Sequence, residues 1–423
     1  MKALVVGGGG REHAIAWKLA RSPQVEGVFC APGNAGTAAL PGCTNIDVSE
    51  VDEVVAAARA RRVDLAVIGP EQPLFDGMAD ALRAAGIDCL GPSRGAAALE
   101  RSKAEAKSFM SRYGIPTASY EIARTPNQAY DAVERMGAPL VVKADGPAAG
   151  KGVAVCDTVS EAREAVHSFM ERERFGAAGR TVVVERRLSG YEVTVLVLTD
   201  GDGAVELPAS MDHKPIGDGN TGPNTGGMGV VCPHPHFDDT LRARFRKEIL
   251  TPTLDGIRTE GHDYRGVLYF GLMVGEQGLS VLEYNVRLGD PEAQAVLPVL
   301  GADFAELARA AAAGSLAGTA TETLHPERSS CVVVAAAAGY PGDCETGHPI
   351  DGLESCRNPV FLAGVREEAG RPVTAGGRVL AVCGTGETPA TARAAAYADL
   401  RRVSFSDMYY RRDIGAYDPA RSR

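Results

Sequence analysis

The chain has 423 residues, a formal net charge of −10, 45% hydrophobic residues and only 6% aromatic ones. An acidic surface repels nucleic-acid phosphates and anionic membrane leaflets, which excludes both as partners. At roughly 150 residues per domain the length suggests about three domains, and a composition rich in Ala, Val, Leu and Gly suits alternating strands and helices rather than a disordered chain or a disulfide-stapled one.

Met1–Val6 reads as a buried strand ended by Gly7–Gly10, and a helix carrying Ile15, Trp17 and Leu19 follows. A second strand over Gly27–Cys30 runs into the loop Ala31-Pro-Gly-Asn-Ala-Gly-Thr37. A helix over Val51–Arg61, a strand over Leu65–Ile68, a break at Gly69–Pro73, a helix over Gly77–Ala85 and a strand over Asp88–Leu90 come next. Strand, glycine break and helix recurring in order predict a doubly wound parallel sheet ending near residue 100. A second unit, over 101–190, is expected to be a small α+β lobe with a linker helix. It holds a helix at Ser102–Arg112, strands at Leu140–Lys143 and Val153–Cys156, a helix at Ser160–Arg172 and a strand at Thr181–Glu185. A third unit, 191–324, opens with strands over Tyr191–Leu198 and Ala204–Ala209. Met211–Val231 is nearly all polar or glycine, too long for a casual turn and hence expected to be functional. A helix over Thr240–Thr259 and strands over Arg265–Val274 and Leu279–Asn285 follow, and an Ala-rich stretch near 305–323 closes the unit. The fourth unit, 325–423, is a small α+β module with strands near Cys331–Ala336 and Arg378–Gly384 and a helix at Thr388–Arg401.

The nine cysteines (Cys30, Cys43, Cys89, Cys156, Cys232, Cys331, Cys344, Cys356 and Cys383) form no CxxC pair. Their odd number argues against a disulfide framework, so most are expected to be small buried hydrophobes of a reducing cytosol. No signal-peptide core or membrane-length apolar run is seen, which predicts a soluble, cytoplasmic protein.

Two nucleotide motifs are mimicked and fail. In Val6-Gly-Gly-Gly-Gly-Arg-Glu-His13 the third glycine of a dinucleotide fingerprint falls on Glu12 or His13, and no acidic residue ends the second strand at Cys30-Ala31-Pro32. The glycines nonetheless put backbone amides at a helix N-terminus beside Arg11, an arrangement that favours a phosphate. Gly146-Pro-Ala-Ala-Gly-Lys-Gly152 is one residue short of a Walker A loop and has Gly152 where that loop has its hydroxyl.

Lys143-Ala-Asp-Gly-Pro-Ala-Ala-Gly-Lys-Gly-Val153 instead reads as strand, glycine loop, strand, with Lys143 and Lys151 flanking a loop able to fold over a polyphosphate. Glu185-Arg-Arg-Leu-Ser-Gly-Tyr-Glu192 ends a strand with a hinge and two carboxylates. In Leu282-Glu-Tyr-Asn-Val-Arg-Leu-Gly-Asp-Pro-Glu292, residues Glu283, Asn285 and Arg287 alternate onto one strand face. Two oxygen ligands and a guanidinium there suit a Mg²⁺-polyphosphate beside an anionic substrate.

In this order the segments resemble the ATP-grasp fold, two α+β lobes that clamp ATP between them. Ala209-Ser-Met-Asp-His-Lys214 and Thr221-Gly-Pro-Asn-Thr-Gly-Gly-Met-Gly229 resemble the signature of one of its families, the phosphoribosylamine–glycine ligases. Gly9–Ala14, Ala31–Thr37, Arg287–Glu292, Gly339–Gly342, Gly376–Arg378 and Tyr410–Gly415 are typical of the same family, in collinear order over essentially the whole chain. The resemblance implies an N-terminal substrate-binding domain, a two-lobed ATP-grasp core and a small C-terminal domain. It implies that ATP drives the joining of glycine to 5-phospho-β-D-ribosylamine through glycyl-phosphate, a step of purine biosynthesis. Mg²⁺, or Mn²⁺ in its place, is the implied metal. Nothing but small molecules is implied as a partner, with the chain a monomer or a weak homodimer.

Residue roles are carried by the same resemblance. Lys103, Lys143, Gly146, Gly150, Lys151 and Gly152 are expected on the ATP phosphates, Glu185 and Leu188 at adenine, and Glu192 at ribose. Glu283 and Asn285 are expected on the metal. Arg287, Asp212, His213, Lys214 and Asp290 are candidates for catalysis on glycine and the acyl intermediate. Gly9, Gly10, Arg11, Asn34 and Gly36, with Asn224, Thr225, Gly226 and Gly227, are expected to hold substrate. The chain departs from the family where relatives usually read Glu-Glu-Phe-Leu at the hinge, and Gly8 stands where Asn is common.

Plainer readings stand beside these. His13 caps or packs against the first helix, and Trp17 belongs to a core. His234 and His236, between prolines, form a solvated loop rather than a metal pair. Arg61-Arg62 and Arg401-Arg402 are solvated helix ends. Asp290 and Glu292 cap the next helix unless Asp290 joins the site. Two rival functions, a bicarbonate-activating carboxylase and a non-catalytic ATP-binding scaffold, are disfavoured respectively by the Asp-His-Lys and Asn-Thr-Gly-Gly-Met-Gly segments and by the presence of Lys143, Glu283 and Asn285.

Overall fold

The computed structural model describes residues 1–148, 151–276, 278–316 and 322–416. Strands β1 (Lys2–Gly7), β2 (Gly27–Pro32), β3 (Cys43–Asn45), β4 (Leu65–Ile68) and β5 (Asp88–Leu90) pair in parallel in the order β3-β2-β1-β4-β5. The order reverses at β1, so the carboxyl ends of β1 and β4 flank the crevice where such sheets bind ligands. Ala3–Val6 and Leu65–Ile68 are buried throughout, because helices cover both faces of the sheet. The connecting helices are α1 (Gly10–Leu19), α2 (Ala35–Ala39), α3 (Val51–Arg61), α4 (Glu71–Asp76), α5 (Met78–Ala84) and α6 (Ala98–Arg101). The expected loop Ala31–Thr37 is shorter than predicted. β2 runs on to Pro32, and Asn34 caps α2 by accepting from Gly36 N at 2.7 Å and Thr37 N at 3.0 Å. The break at Gly69–Pro73 likewise turns directly into α4, whose first turn tolerates Pro73 because its amides have no partner inside the helix.

Helix α7 (Lys103–Arg112) leads into a lobe built from β6 (Tyr120–Ala123), α8 (Pro126–Met136), β7 (Leu140–Ala144), β8 (Val153–Cys156), α9 (Val159–Val166) and β9 (Val182–Arg186). Its antiparallel sheet runs β6-β9-β7-β8. Its own core gathers Ala129, Val133, Leu140, Val142, Val166 and Phe169. The helix expected over 160–172 starts at Val159, capped by Thr158 and Glu161, and widens into a π turn over His167–Glu171.

The third sheet takes β10 (Tyr191–Thr199) and β11 (Ala204–Glu206). The polar stretch that follows contains β12 (Met211–Asp212), the hairpin β13 (Pro215–Gly217) and β14 (Thr221–Asn224), and β15 (Gly229–Cys232). Beyond it lie α10 (Asp239–Phe245), a π segment, α11 (Thr251–Thr259), then β16 (Gly266–Gly275) and β17 (Gly278–Asn285). Helices α12 (Glu292–Val299) and α13 (Phe304–Ala313) precede β18 (Glu322–Thr323) and β19 (Ser329–Ala336). The chain closes with β20 (Val360–Leu362), β21 (Val365–Glu368), β22 (Arg371–Thr374), β23 (Arg378–Gly386) and α14 (Pro389–Leu400). One sheet is ordered β17-β16-β10-β11-β18 and another β12-β15-β19-β23-β20. The ends of the polar stretch are thus strands of the C-terminal sheet, which carries Asp212 and Gly229 to the same seam as β23. Ile15 and Leu19 of α1, Val296 and Leu297 of α12 and Phe361 of β20 share one apolar core, so the N-terminal sheet and the C-terminal module pack on the helix that follows Pro291. Among the described residues no helix is long and apolar enough to cross a membrane.

Candidate active site

Glu283 is the centre of the first cluster. It sits on β17 with Asn285 two residues on, as the alternation of the strand predicts. Lys214 Nζ lies 3.7 Å from its carboxylate and 2.9 Å from that of Glu192. Burial pushes the Glu283 carboxyl up, but Lys214, Lys143, Lys103 and Arg287 together hold it below its ordinary value. Four cations from four segments therefore converge on one carboxylate. Burial also disfavours charge on Lys214, yet Glu192 and Glu283 keep its ammonium well above the usual range.

Lys143 projects from β7 and spans to the facing sheet, donating to Leu282 O at 3.1 Å while pairing with Glu185 Oε1 at 2.6 Å. Glu185, at 2% exposure, is clasped on its other side by Lys107 at 2.5 Å. Burial raises its carboxyl, and the two lysines outweigh burial and lower it. Its side chain is therefore turned to lysines, while at the hinge Arg186 donates to Gly137 O and Arg187 pairs with Asp157. Lys103 opens α7 and reaches toward Gly146 O at 3.3 Å, while Asp145 caps that helix by accepting from Ala104 N at 2.7 Å. Gly146 and Gly152 bound the loop on the β7 and β8 sides, Lys151 is exposed, and Gly150 lies outside the described residues.

A second cluster lies at the crevice of the N-terminal sheet. Arg287 pairs with Glu100 at 2.8 Å and Glu71 at 3.3 Å and donates to Asn285 Oδ1 at 3.3 Å. Burial works against its charge, but Glu100 and Glu71 hold it further up than an ordinary guanidinium. Arg11 is turned inward, 2.5 Å from Glu12 and donating to Leu288 O at 3.1 Å. The Glu12 carboxylate also accepts from Gly9 N at 2.6 Å and fills a chamber walled by Gly7 and Gly69. A Cβ on Gly69 would lie 2.0 Å from Glu12 Oε1, so glycine is required there by close approach. Asp290 pairs with Arg378 at 3.3 Å, and Arg378 also donates to Gly226 O at 2.7 Å and to Asp290 O at 2.8 Å. Burial raises the Asp290 carboxyl, and Arg378 and Arg11 reverse this and lower it.

The signature strand and loop close the site from the C-terminal side. Asp212 carries an Oδ1 that is buried without a hydrogen-bond partner, and burial together with Glu292 raises its carboxyl well above the usual range. Glu292, at 3% exposure, accepts from Tyr269 OH at 2.8 Å. His213 Nδ1 donates to Gly229 O at 3.1 Å, which leaves Nε2 as the lone-pair nitrogen of a ring that burial and Arg411 lower to about 4. Thr225 donates to Lys214 O at 2.7 Å and accepts from Gly227 N at 3.0 Å, Gly226 N donates to Tyr340 OH at 3.1 Å, and Asn224 is exposed on β14. Gly10 begins α1, and Gly36 is held by Asn34, whose amide nitrogen also donates to Gly8 O at 2.9 Å and Leu362 O at 2.7 Å. A cavity of about 450 Å³ opens here, lined by Gly8, Asn34, Asn45, Gly364 and Arg366 among others. A larger one of about 670 Å³, lined by Arg242, Arg246, Thr323 and His325 among others, shares no residue with either cluster.

The structure therefore brings Lys103, Lys143, Glu192, Lys214, Glu283 and Asn285 into one cluster and Arg11, Arg287, Asp290 and the 225–227 loop into an adjoining one. The expectation of a solvated His234 is overturned: it is buried, at 5% exposure. Its Nε2 donates to Glu192 O at 3.0 Å, its Nδ1 accepts from His236 N at 3.1 Å, and its ring stacks on Tyr191. His13 packs as predicted, edge-on to Phe361 and accepting from Leu362 N at 2.9 Å. Trp17 is only partly buried beside it. Sequence reasoning missed Lys107, Glu12, Glu71, Glu100 and Arg378. Signals were present: Lys107 is one helical turn from Lys103, Glu12 and Arg378 sit inside quoted motifs, and Glu71 follows a Gly-Pro break.

An oxygen pair such as Glu283 and Asn285 suits a hard divalent cation that takes its other ligands from phosphates and water. Among the described residues no group of three or more His, Cys, Asp or Glu could hold a metal ion.

Comparison with known proteins covers both clusters. Residues 1–100 match the family described as phosphoribosylglycinamide synthetase, N domain; 101–293 match its ATP-grasp (A) domain; and 330–417 match its C domain. Among similar proteins are the phosphoribosylamine–glycine ligases of Allochromatium vinosum, 46% identical over 100% of both chains, and of Clostridium acetobutylicum, 43% identical over 98% of this chain and 99% of that one. The ligase of Thermotoga maritima superposes with a TM-score of 0.87 at 36% identity, covering 98% of this chain and 100% of its own. The biotin carboxylase domain of Hydrogenobacter thermophilus 2-oxoglutarate carboxylase, solved with MgADP and bicarbonate, shares the fold alone: TM-score 0.73 at 15% identity, over 97% of this chain and 91% of that one.

Proposed function

The chain belongs to the phosphoribosylglycinamide synthetase family, and from that premise we propose how its own residues carry out the family's reaction. It is an ATP-dependent carboxylate–amine ligase that joins glycine to 5-phospho-β-D-ribosylamine. A glycine carboxylate oxygen attacks the γ-phosphorus, the bond to ADP breaks, and glycyl-phosphate forms. The ribosylamine nitrogen then attacks the acyl carbon, loses a proton, and expels phosphate to leave the amide. Neither step needs a protein nucleophile, so catalysis is positioning and charge neutralisation.

The observation that carries this reading is the convergence of Lys214, Lys143, Lys103 and Arg287 on Glu283. Cations gathered around a carboxylate that a divalent ion can take up suit a polyphosphate and a developing acyl-phosphate. We assign Lys103, Lys143 and the loop 146–152 to the ATP phosphates, the backbone at 185–188 to adenine, and Glu192 to ribose, fixed from behind by His234. Glu283 and Asn285 would hold Mg²⁺, or Mn²⁺, which neutralises phosphate charge when bound with ATP. Arg287, with Lys214, orients the glycine carboxylate and then the acyl-phosphate. Asp290, Asp212 and the His213 Nε2 lone pair border the acyl carbon, where the amine proton must leave. The phosphoribosyl group is assigned to the Gly9–Gly10 turn, Arg11, Asn34, Gly36 and the 224–227 loop. The four units 1–100, 101–190, 191–324 and 325–423 would act as substrate domain, two ATP lobes and closing module, in the cytoplasm, as a monomer or weak homodimer.

The test is ADP formation by purified protein with ATP and Mg²⁺. It is expected to require both glycine and phosphoribosylamine generated from ribose 5-phosphate and ammonia. ADP formed equally with bicarbonate in place of glycine would replace this reading with a carboxylase.

A further inference from the structure

Lys107 is a charged side chain, 2% exposed, to which the account above gives no task. It lies one turn beyond Lys103 on the same face of α7. Its ammonium is 2.5 Å from Glu185 Oε2 and 2.6 Å from Thr117 Oγ1. Thr117 gives its own proton to Val281 O at 2.6 Å, so its oxygen accepts from the ammonium. The opposite oxygen of the same carboxylate pairs with Lys143 at 2.6 Å, and a second donor of Lys143 goes to Leu282 O. Two ammonium groups therefore share one carboxylate, leaving a surplus positive charge and one free N–H on Lys143. In a buried setting such a surplus acts strongly on a neighbouring anion, because little water screens it.

We infer that Lys107 is a positioning residue that takes up half of the Glu185 carboxylate, so that Lys143 keeps free charge for the ATP phosphates. The inference rests on reading Lys143 as a phosphate ligand. Lys107 itself touches no substrate; it acts through Glu185.

Lys107→Met leaves Glu185 to cancel Lys143 alone. The expected result is a rise in KM for ATP of about tenfold to thirtyfold, with KM for glycine unchanged. Adenosine, which has no phosphates, should inhibit the variant and the wild type equally. The Lys107→Met/Glu185→Gln double variant removes one charge of each sign and frees Lys143 again, so its KM for ATP should return to within about threefold of wild type. A double variant as impaired as the sum of its parts, or adenosine weakened as much as ATP, would overturn the inference and leave Lys107 a packing residue. Should Lys107→Met fail to fold, the double variant decides alone: a KM for ATP raised by about tenfold or more overturns the proposal. Lys143→Met separates the two claims. An unchanged KM for ATP there removes Lys143 from the ATP site, whereas a raised one beside a normal Lys107→Met removes only the inference.

Discussion

Replacing Arg287 with Met separates the structural from the chemical work of this side chain. The guanidinium is 2.8 Å from Glu100 and 3.3 Å from Glu71, with side-chain exposures of 16%, 9% and 38% for Arg287, Glu100 and Glu71. Methionine keeps most of the length and removes the charge. Breaking a buried pair by removing one partner costs about 3–5 kcal/mol, whereas the more exposed Glu71 contact contributes less than about 1 kcal/mol. Glu100 keeps the amide of Val286 at 2.7 Å but loses its cation. Burial already pushes its carboxyl up, and Arg287 is the main influence opposing that. Without Arg287 the carboxyl rises further and takes up a proton in the folded state. A carboxyl whose folded pKa is raised favours the folded state at low pH, and that advantage disappears as pH rises through the raised value. The deficit measured by urea unfolding should therefore be about 1 kcal/mol at pH 5 and about 3 kcal/mol at pH 8. Turnover at neutral pH should fall on the order of a hundredfold to a thousandfold, as when one preorganised donor to a developing anion is lost. A variant that unfolds at the wild-type midpoint at both pH values, or whose deficit shrinks from pH 5 to pH 8, would refute the reasoning from the buried Arg287–Glu100 pair.

Glu283→Gln keeps the fold and ATP binding but should cut turnover on the order of a thousandfold; near-normal activity across a Mg²⁺ titration would remove Glu283 from the metal site. Gly69→Ala places a methyl 2.0 Å from Glu12 Oε1 and should destabilise by about 2 kcal/mol or more, seen as a lower melting temperature, and an unchanged one would show that Glu12 can move away. His13 and His234 are each lowered to about 4 by burial. Since a free imidazole titrates near 6.5, their stabilisation is complete above that pH and is lost as pH falls toward 4, on the order of 2 kcal/mol per residue at pH 5. Urea midpoints should drop between pH 7 and pH 5 and drop less in His13→Gln; equal midpoints at both pH values in the wild type would contradict the buried-neutral assignment.

Strand and helix placement was readable wherever apolar periodicity was strong. Leu65–Ile68, Asp88–Leu90, Val51–Arg61 and Val153–Cys156 occupy the spans read from sequence. Helix α8 escaped notice because its buried face is only Ala129, Ala132 and Val133, too small to stand out, although Thr125 and Pro126 announce its start. Strands β12 and β15 could not be read as part of the C-terminal sheet, because nothing local tells a polar loop that its last residues pair with Ser330–Val333 and its first with those last ones. At the site, the alternation of Glu283 and Asn285 was legible from one strand, whereas Arg287, expected on the same face, lies past the strand's end at Asn285 and turns to the N-terminal crevice. The partners of Arg287 were not legible, since Glu71 and Glu100 are 216 and 187 residues away in the chain and meet it only through the sheet crevice. His234 was misread because its flanking prolines look like a surface loop, while burial depends on Tyr191 and Glu192 from another strand.

The central claim is that a glycine carboxylate oxygen attacks ATP in the cluster around Glu283 and leaves with phosphate. Glycine labelled with heavy oxygen in its carboxylate, turned over with ATP and phosphoribosylamine, tests it most directly by mass spectrometry of the products. The account predicts one labelled oxygen in each phosphate released and one retained in the amide. Unlabelled phosphate, with one label kept in the amide and the other released as water, would contradict an acyl-phosphate route and with it the roles given to Lys214, Glu283 and Arg287.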